Sequence, residues 1–254
     1  AITTSCKQLK EQQPSSPSGY YVLASTNGST NYTTYCNMGS LCGSGGGWTR
    51  LAYLDMTDAT QNCPSGFGLD QSGGVRACGR NSSSGSCVSV QFPSNGISYS
   101  QICGRVTGYQ YGHVDTLNNF YGIDSYYVDG VSITRGSPRQ HVWTLMAGQD
   151  QISSSSCPCN NGSTLSVQSF IGNNYFCESG NPHDGSLSIL YTSDPLWDGQ
   201  GCGSLESPCC NVPGIPWFHR DYGSNTTTDY IELRVCTSAG GEDSPVSYYE
   251  IYVK

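Results

Sequence analysis

Fourteen cysteines lie along this 254-residue chain, from Cys6 to Cys236. Their number is even and none of them has the CxxC spacing of a zinc ribbon, so disulfides are the expected state. A chain of this length can bury a sizeable core without cross-links, and so many thiols persist as disulfides only in an oxidising compartment. The cysteines therefore predict a secreted, extracellular protein with up to seven disulfides.

N-linked glycosylation sequons point to the same compartment. The pattern N-x-S/T occurs in polar stretches that are typical of surface turns. The first residues, Ala-Ile-Thr-Thr, are neither an initiator methionine nor an apolar leader, and we expect a signal peptide to have been removed. The predicted glycosylation sites are Asn27, Asn31, Asn81, Asn161 and Asn225.

Charge and hydropathy argue against two classes of partner. The formal net charge is -8 with 11 Lys plus Arg and no basic cluster, which argues against contacts with a nucleic-acid backbone. No apolar run approaches the roughly 18 residues needed to span a bilayer, so we expect no membrane span.

Secondary-structure signals are short and uneven. One helix is predicted at residues 5–12, where Ser5 can cap the first turn and Pro14 follows the last. Runs of β-branched and aromatic residues predict strands at 19–24, 101–106, 230–235 and 248–253. Long loops are expected at 58–74, 149–164 and 192–224, with disulfides supporting them. We therefore expect a disulfide-rich α+β fold with short strands and long irregular loops, in one continuous domain.

Four motifs near the start of the chain fall in register with a known family. They are SCKQLK at 5–10, SGYYVL at 18–23, YCNM at 35–38 and GGGWT at 45–49. In order and spacing they resemble the opening of fibrinogen-related domains, as found in fibrinogen chains, ficolins and intelectins. Segments 194–203 and 226–236 are similar to fibrinogen-like secreted proteins of sponges and cnidarians. The resemblance divides the chain into a fibrinogen-like N-terminal subdomain, 1–50, and a divergent fibrinogen-like remainder, 51–254.

The resemblance also implies specific contacts in the first fifty residues. It implies a disulfide between Cys6 and Cys36, and a strand at 19–24 that pairs with one ending at Cys36. It further implies that Trp48 packs into the core. The residues themselves agree, because glycines 45–47 allow the backbone to turn closely beneath a bulky indole.

A calcium site is one hypothesis for the segment after residue 193. Asp194, Asp198 and Glu206 could offer carboxylate oxygens to calcium, which takes 6 to 8 oxygen ligands. Trp197 and Asp198 would then be ligand-binding residues beside the ion. The alternative is a turn in which the Asp side chains accept backbone N–H bonds and Trp197 packs inward.

A carbohydrate site is the hypothesis for residues 215–222, the densest aromatic and polar cluster in the chain. Trp217 and Tyr222 could stack on a sugar ring, with His219 supplying a hydrogen bond. The alternative is that this run fills a core corner beneath a long loop.

The sequence supports two functional hypotheses. No G-x-S-x-G, H-E-x-x-H or glycine-loop motif is present, and we expect no enzyme. The first hypothesis is a secreted structural or adhesion protein of a matrix or skeleton, self-assembling or mineral-associated, whose partners are its own copies or other matrix components. The second is a carbohydrate-binding lectin of the ficolin or intelectin type, with calcium dependence. We favour the first because the acidic calcium loop of those lectins has no counterpart here.

Overall fold

The computed structural model describes residues 2–72, 74–81, 86–108, 111–112, 130–137, 139–147, 175–176, 217–237, 242–243 and 245–254. These residues form one helix, α1 (Cys6–Gln12), and fifteen strands. The strands are β1 (Gly19–Ala24), β2 (Asn31–Asn37), β3 (Trp48–Asp55), β4 (Gly68–Ser72), β5 (Val75–Gly79), β6 (Ser86–Phe92), β7 (Gln101–Gly108), β8 (Tyr111–Gly112), β9 (Gly130–Arg135), β10 (Gln140–Ala147), β11 (Tyr175–Phe176), β12 (Phe218–Asp221), β13 (Ile231–Thr237), β14 (Glu242–Asp243) and β15 (Val246–Val253).

Strand β15 is the centre of an eight-stranded antiparallel sheet. It pairs with β3 on one side and with β7 on the other, and β5 joins it at Val246. The sheet continues from β3 through β2 to the edge strand β1, from β5 to β4, and from β7 to β12. Side chains alternate between two faces along each strand, so β15 places Tyr249, Ile251 and Val253 on one face and Tyr248, Glu250 and Tyr252 on the other.

A second antiparallel sheet, in the order β11-β10-β9-β13-β6, covers one face of the first. The core between the two sheets is a single apolar cluster. From the larger sheet it takes Leu54, Ile102 and Ile251, and from the smaller sheet Ile133 and Leu233. We call the covered side of the eight-stranded sheet its inner face, and the opposite side its outer face.

The fold class expected from the sequence, α+β, is wrong. Seven residues of the described part form the only helix there, and the remaining regular structure is antiparallel β-sheet, which makes the fold mostly β. The expected loop at 58–74 contains β4, whose sequence GLDQS has almost no β-branched or aromatic character. Such a strand forms because β5 provides hydrogen-bonding partners along its length, and a single stretch of sequence does not show this.

The predicted helix is present and begins where the capping residue places it. The hydroxyl of Ser5 accepts a hydrogen bond from the backbone N–H of Gln8 at 3.1 Å. Cys6 and Leu9 bury one side of the helix against Leu23 and Met38 on the inner face of the sheet. Lys7, on the same helix, is exposed.

The contacts implied for the first fifty residues are confirmed. Cys6 and Cys36 form a disulfide, β1 pairs with β2 with Gly19 opposite Cys36, and Trp48 is fully buried. A Cβ atom on Gly46 would lie 1.8 Å from the carbonyl oxygen of Met38, so only glycine fits beside the tryptophan loop. Strand β2 ends one residue later than expected, at Asn37.

Two further disulfides join segments that are distant in sequence. Cys42 bonds to Cys103 on β7, and Cys63 bonds to Cys78 on β5. The prediction of a disulfide-bonded protein is confirmed for these pairs. Within the described residues, no helix has the length and apolar character needed to cross a bilayer.

Candidate functional site

The outer face of the eight-stranded sheet carries a continuous row of aromatic and arginine side chains. Each member contacts the next, and together they cross β1, β2, β3, β15 and β7 and reach the residue before β12. We call this row the aromatic array; its members are Tyr20, Tyr35, Arg50, Tyr53, Tyr248, Arg105 and Trp217.

One end of the array surrounds Arg50. The guanidinium carbon lies 4.0 Å from the ring centroid of Tyr53, 4.7 Å from that of Tyr35 and 5.6 Å from that of Tyr20. Its Nη2 donates a hydrogen bond of 2.9 Å to the Tyr20 hydroxyl. Tyr20 and Tyr53 are 68% and 42% exposed, so these rings present a large part of their surface to solvent. Neighbouring exposed rings of this kind are a candidate contact surface for a partner.

The other end of the array is built on an ion pair. Arg105 contacts Glu250 at 2.5 Å and donates a hydrogen bond to the hydroxyl of Tyr248 at 3.1 Å. The second carboxylate oxygen of Glu250 accepts a hydrogen bond from Tyr252 at 3.0 Å. Burial, reinforced by the negative charge of Glu250, raises the pKa of Tyr248 to about 12. The network therefore holds the Arg105 guanidinium in place beneath the ring of Trp217, 4.8 Å from its centroid.

The structure brings together two of the ligand-binding residues predicted from the sequence. Trp217 is half-buried against Trp48, Tyr252 and the Cys42–Cys103 disulfide, and its ring covers Arg105. The imidazole of His219 lies 6.4 Å from the Trp48 ring, with Nε2 3.1 Å from the side-chain oxygen of Gln101. Loss of hydration lowers the pKa of His219 below its ordinary value, against an opposing effect of Asp221.

Tyr222, the third residue of that predicted cluster, lies elsewhere. It packs against the core between the sheets, and the guanidinium of Arg135 lies 4.4 Å from its ring centroid. Trp217 precedes β12 and Tyr222 follows it, and the two side chains pack in different clusters. The structure therefore does not place Tyr222 with Trp217 and His219 in one site.

The calcium hypothesis falls on a part of the chain outside the described residues. Asp194, Trp197, Asp198 and Glu206 all lie there. In the part that the structure describes, no group of three or more His, Cys, Asp or Glu side chains is arranged to hold a metal ion.

Four of the five predicted glycosylation sites lie in the described residues, and all four are exposed: Asn27, Asn31, Asn81 and Asn225. Asn161 lies outside the described residues. Asn31 begins β2, and its alternation with Thr33 and Tyr35 places it on the outer face. A glycan attached there would emerge on the same side of the sheet as the aromatic array.

Most of the aromatic array was missed in the sequence analysis. Tyr20 and Tyr248 belong to strands that were predicted, and their alternation with core residues was the available signal. The missing information was the order of strands, because only the pairing of β15 with β3 and β7 brings Arg50 and Arg105 into one row. No protein-family model matches the chain.

Proposed function

We propose that this protein is a secreted, non-enzymatic structural or adhesion protein of the extracellular space. The aromatic array is the surface with which it contacts its own copies or other matrix components. The single observation that carries this proposal is the exposed tyrosine surface on a rigid, disulfide-linked sheet. Disulfides and exposed sequons support secretion, because both belong to an oxidising, glycosylating compartment.

Aromatic side chains on a sheet are well suited to adhesion. Tyrosine offers a large apolar area together with a hydroxyl, and it loses little conformational entropy when it is covered. The strand backbone fixes the position of each Cβ atom, and a neighbouring ring or guanidinium restricts the orientation of the ring. Tyr35 does this for Tyr20, at 5.4 Å between ring centroids. A partner therefore meets a surface that is already organised.

We also propose that the chain is a divergent fibrinogen-related protein. The Cys6–Cys36 disulfide, the β1–β2 pairing and the buried Trp48 support this proposal, since the resemblance implied all three. Fibrinogen-related proteins serve in adhesion and recognition, which agrees with a binding surface on the sheet. In this proposal residues 51–254 have diverged most from other fibrinogen-related proteins.

Self-association through the array predicts a specific loss on mutation. The double variant Tyr20→Ala, Tyr53→Ala removes the two most exposed rings, and we expect the self-association constant to fall by about tenfold or more. Sedimentation velocity across a range of concentrations measures this. The matched control is Leu69→Ala, which removes an apolar side chain of similar exposure, 49%, outside the array. Equal association by wild type and the double variant would contradict the role of the array.

Carbohydrate binding is the second candidate function. It is favoured by the position of Trp217, a half-buried indole held over a guanidinium, because sugar rings stack on such indoles while nearby donors bind their hydroxyls. The calcium-dependent form of this function rests on Asp194, Asp198 and Glu206, and chelation during a binding assay would test it.

Trp217→Ala separates a binding role from a packing role. If Trp217 binds sugar, we expect the variant to lose signal on a glycan array while its melting temperature falls by only a few degrees, as a cost of about 2 kcal/mol or less would produce. Tyr222→Phe, in the separate contact with Arg135, serves as a control that should keep binding. A variant that fails to fold would instead assign Trp217 to the core.

A further inference from the structure

Arg50 makes no ion pair, unlike three other arginines of the described residues. Arg105, Arg135 and Arg139 each contact a carboxylate, at 2.5, 2.8 and 3.1 Å respectively. No carboxylate of the described residues lies within ion-pairing distance of Arg50. Its guanidinium donates a hydrogen bond of 2.9 Å to the neutral hydroxyl of Tyr20 and also interacts with the neutral hydroxyl of Tyr252. The exposed end of the array therefore holds a positive charge that makes no direct ion pair, and the carboxylate of Glu250 is reached only through the Tyr252 hydroxyl.

The surroundings of Arg50 orient the guanidinium without neutralising it. The rings of Tyr20, Tyr35 and Tyr53 attract the cation through their π faces, and this attraction leaves the charge in place. A guanidinium has five N–H donors in a fixed plane, more than the hydroxyls of Tyr20 and Tyr252 can accept. The remaining donors match the paired oxygens of a carboxylate or sulfate.

We infer that the partner of this end of the array is an acidic glycan. Its carboxylate or sulfate binds the guanidinium of Arg50, and its pyranose rings stack on the exposed faces of Tyr20 and Tyr53. This inference rests on the proposed adhesive function and names the chemical class of the matrix component. The positive charge of Arg50 favours an acidic group. The exposed rings on both sides of the guanidinium favour a carbohydrate as the molecule that carries this group.

Neutral glycans fit this end less well. They would cover the tyrosine rings but would leave the guanidinium donors facing hydroxyls, and hydrogen bonds from a charged donor to an anion are roughly twice as strong as neutral ones. The chain as a whole carries a net charge of -8, so non-specific attraction of polyanions is unfavourable. Binding of an acidic glycan therefore requires a local site such as Arg50.

Three dextrans of equal length provide the test: unmodified, carboxymethylated and sulfated. The immobilised polymers are exposed to the intact protein, and binding is followed by surface plasmon resonance at two salt concentrations. We expect binding to one or both acidic polymers, weakened by salt, and at least tenfold weaker binding to unmodified dextran. The comparison of carboxymethylated with sulfated dextran identifies which acidic group the site prefers.

Variants assign the binding to Arg50. We expect Arg50→Gln to weaken binding by about tenfold or more, and Arg50→Lys to restore part of it, because lysine keeps the charge but lacks the planar donors. Lys7→Gln changes net charge equally at an exposed position on α1 that is not part of the array, and it should bind within about twofold of wild type. Tyr20→Ala gives a second, independent loss at an exposed position, where the fold is not at risk.

Equal binding by Arg50→Gln and wild type, or equal binding of neutral and acidic dextran, would overturn the inference. Sedimentation of the same samples keeps this result separate from the adhesive function. If the wild-type protein self-associates through Tyr20 and Tyr53 but does not bind acidic dextran, the array is adhesive and its partner is a second copy of the chain. If acidic dextran binds through Arg50 and no self-association occurs, the acidic glycan is supported as the partner and self-adhesion through the array is rejected.

Discussion

Raising the pH from about 9 to about 12 is expected to unfold this protein cooperatively, since several buried tyrosines keep their protons in the folded state at a pH where the unfolded chain loses them. Tyr99, Tyr249 and Tyr252 are 1%, 2% and 2% exposed. Burial raises the pKa of each above the ordinary tyrosine value, and nearby carboxylates add to the effect for Tyr99 and Tyr252. Burial also raises the pKa of Tyr32, which is half-buried, to about 12.

The sign of the effect follows from proton binding in the two states. Above pH 10 the unfolded chain loses phenolic protons that the folded protein still holds, so unfolding becomes more favourable as the pH rises. Below the ordinary tyrosine pKa both states are protonated, and the stabilisation is complete. Three fully buried tyrosines remove on the order of 4 kcal/mol per pH unit, against a typical total of about 5 to 15 kcal/mol.

Tyrosinate absorbance and far-ultraviolet circular dichroism, recorded on the same samples, check this expectation. The late-ionising tyrosines should titrate together with the loss of sheet signal. Tyr249→Phe is the informative variant, because burial alone raises the pKa of Tyr249 and the substitution removes its ionisation with little change in shape. We expect this variant to lose stability less steeply with pH. A smooth titration of all tyrosines near pH 10, with the sheet intact, would show that these rings are accessible.

The elements that could be predicted from sequence are those with a strong local signal. Ser5 marked the start of α1, and the aromatic and β-branched run at the end of the chain became β15. Strands β4 and β5 had no such signal, since GLDQS has no β-branched or aromatic residue and VRACG has only Val75. They are held by pairing with each other, by β5 joining β15 at Val246, and by the Cys63–Cys78 disulfide, all of which act between segments.

The candidate site shows the same difference between local signals and contacts that join distant segments. Trp217 and His219 were predicted as ligand-binding residues because aromatic and polar residues crowd one short stretch of sequence. Arg50 and Tyr248 are almost two hundred positions apart, and they join one surface only through Tyr53, which contacts both. The antiparallel pairing of β3 with β15 creates that contact, so a surface spread over several strands becomes visible only when their order is known.

Trp48→Ala is expected to be the most destabilising single substitution in the first fifty residues, at about 3 to 5 kcal/mol. The indole is completely buried among Tyr252, Trp217 and the Cys42–Cys103 disulfide, and the ammonium group of Lys254 lies 5.8 Å from its ring. No neighbour can close the space, because the disulfide fixes one wall and the sheet fixes the other. Denaturant unfolding followed by circular dichroism measures the loss.

Trp217→Ala is the natural comparison for Trp48→Ala, because it removes the same side chain from the same cluster at a half-buried position. We expect it to cost about 2 kcal/mol or less, since solvent already reaches part of the indole. The two variants should also differ in binding: loss of Trp48 withdraws support from beneath Tyr252 and Trp217, whereas loss of Trp217 removes only the outermost ring. If both variants were equally stable, the core of this end of the sheet would lie elsewhere, and Trp48 would no longer explain how the array is held in place.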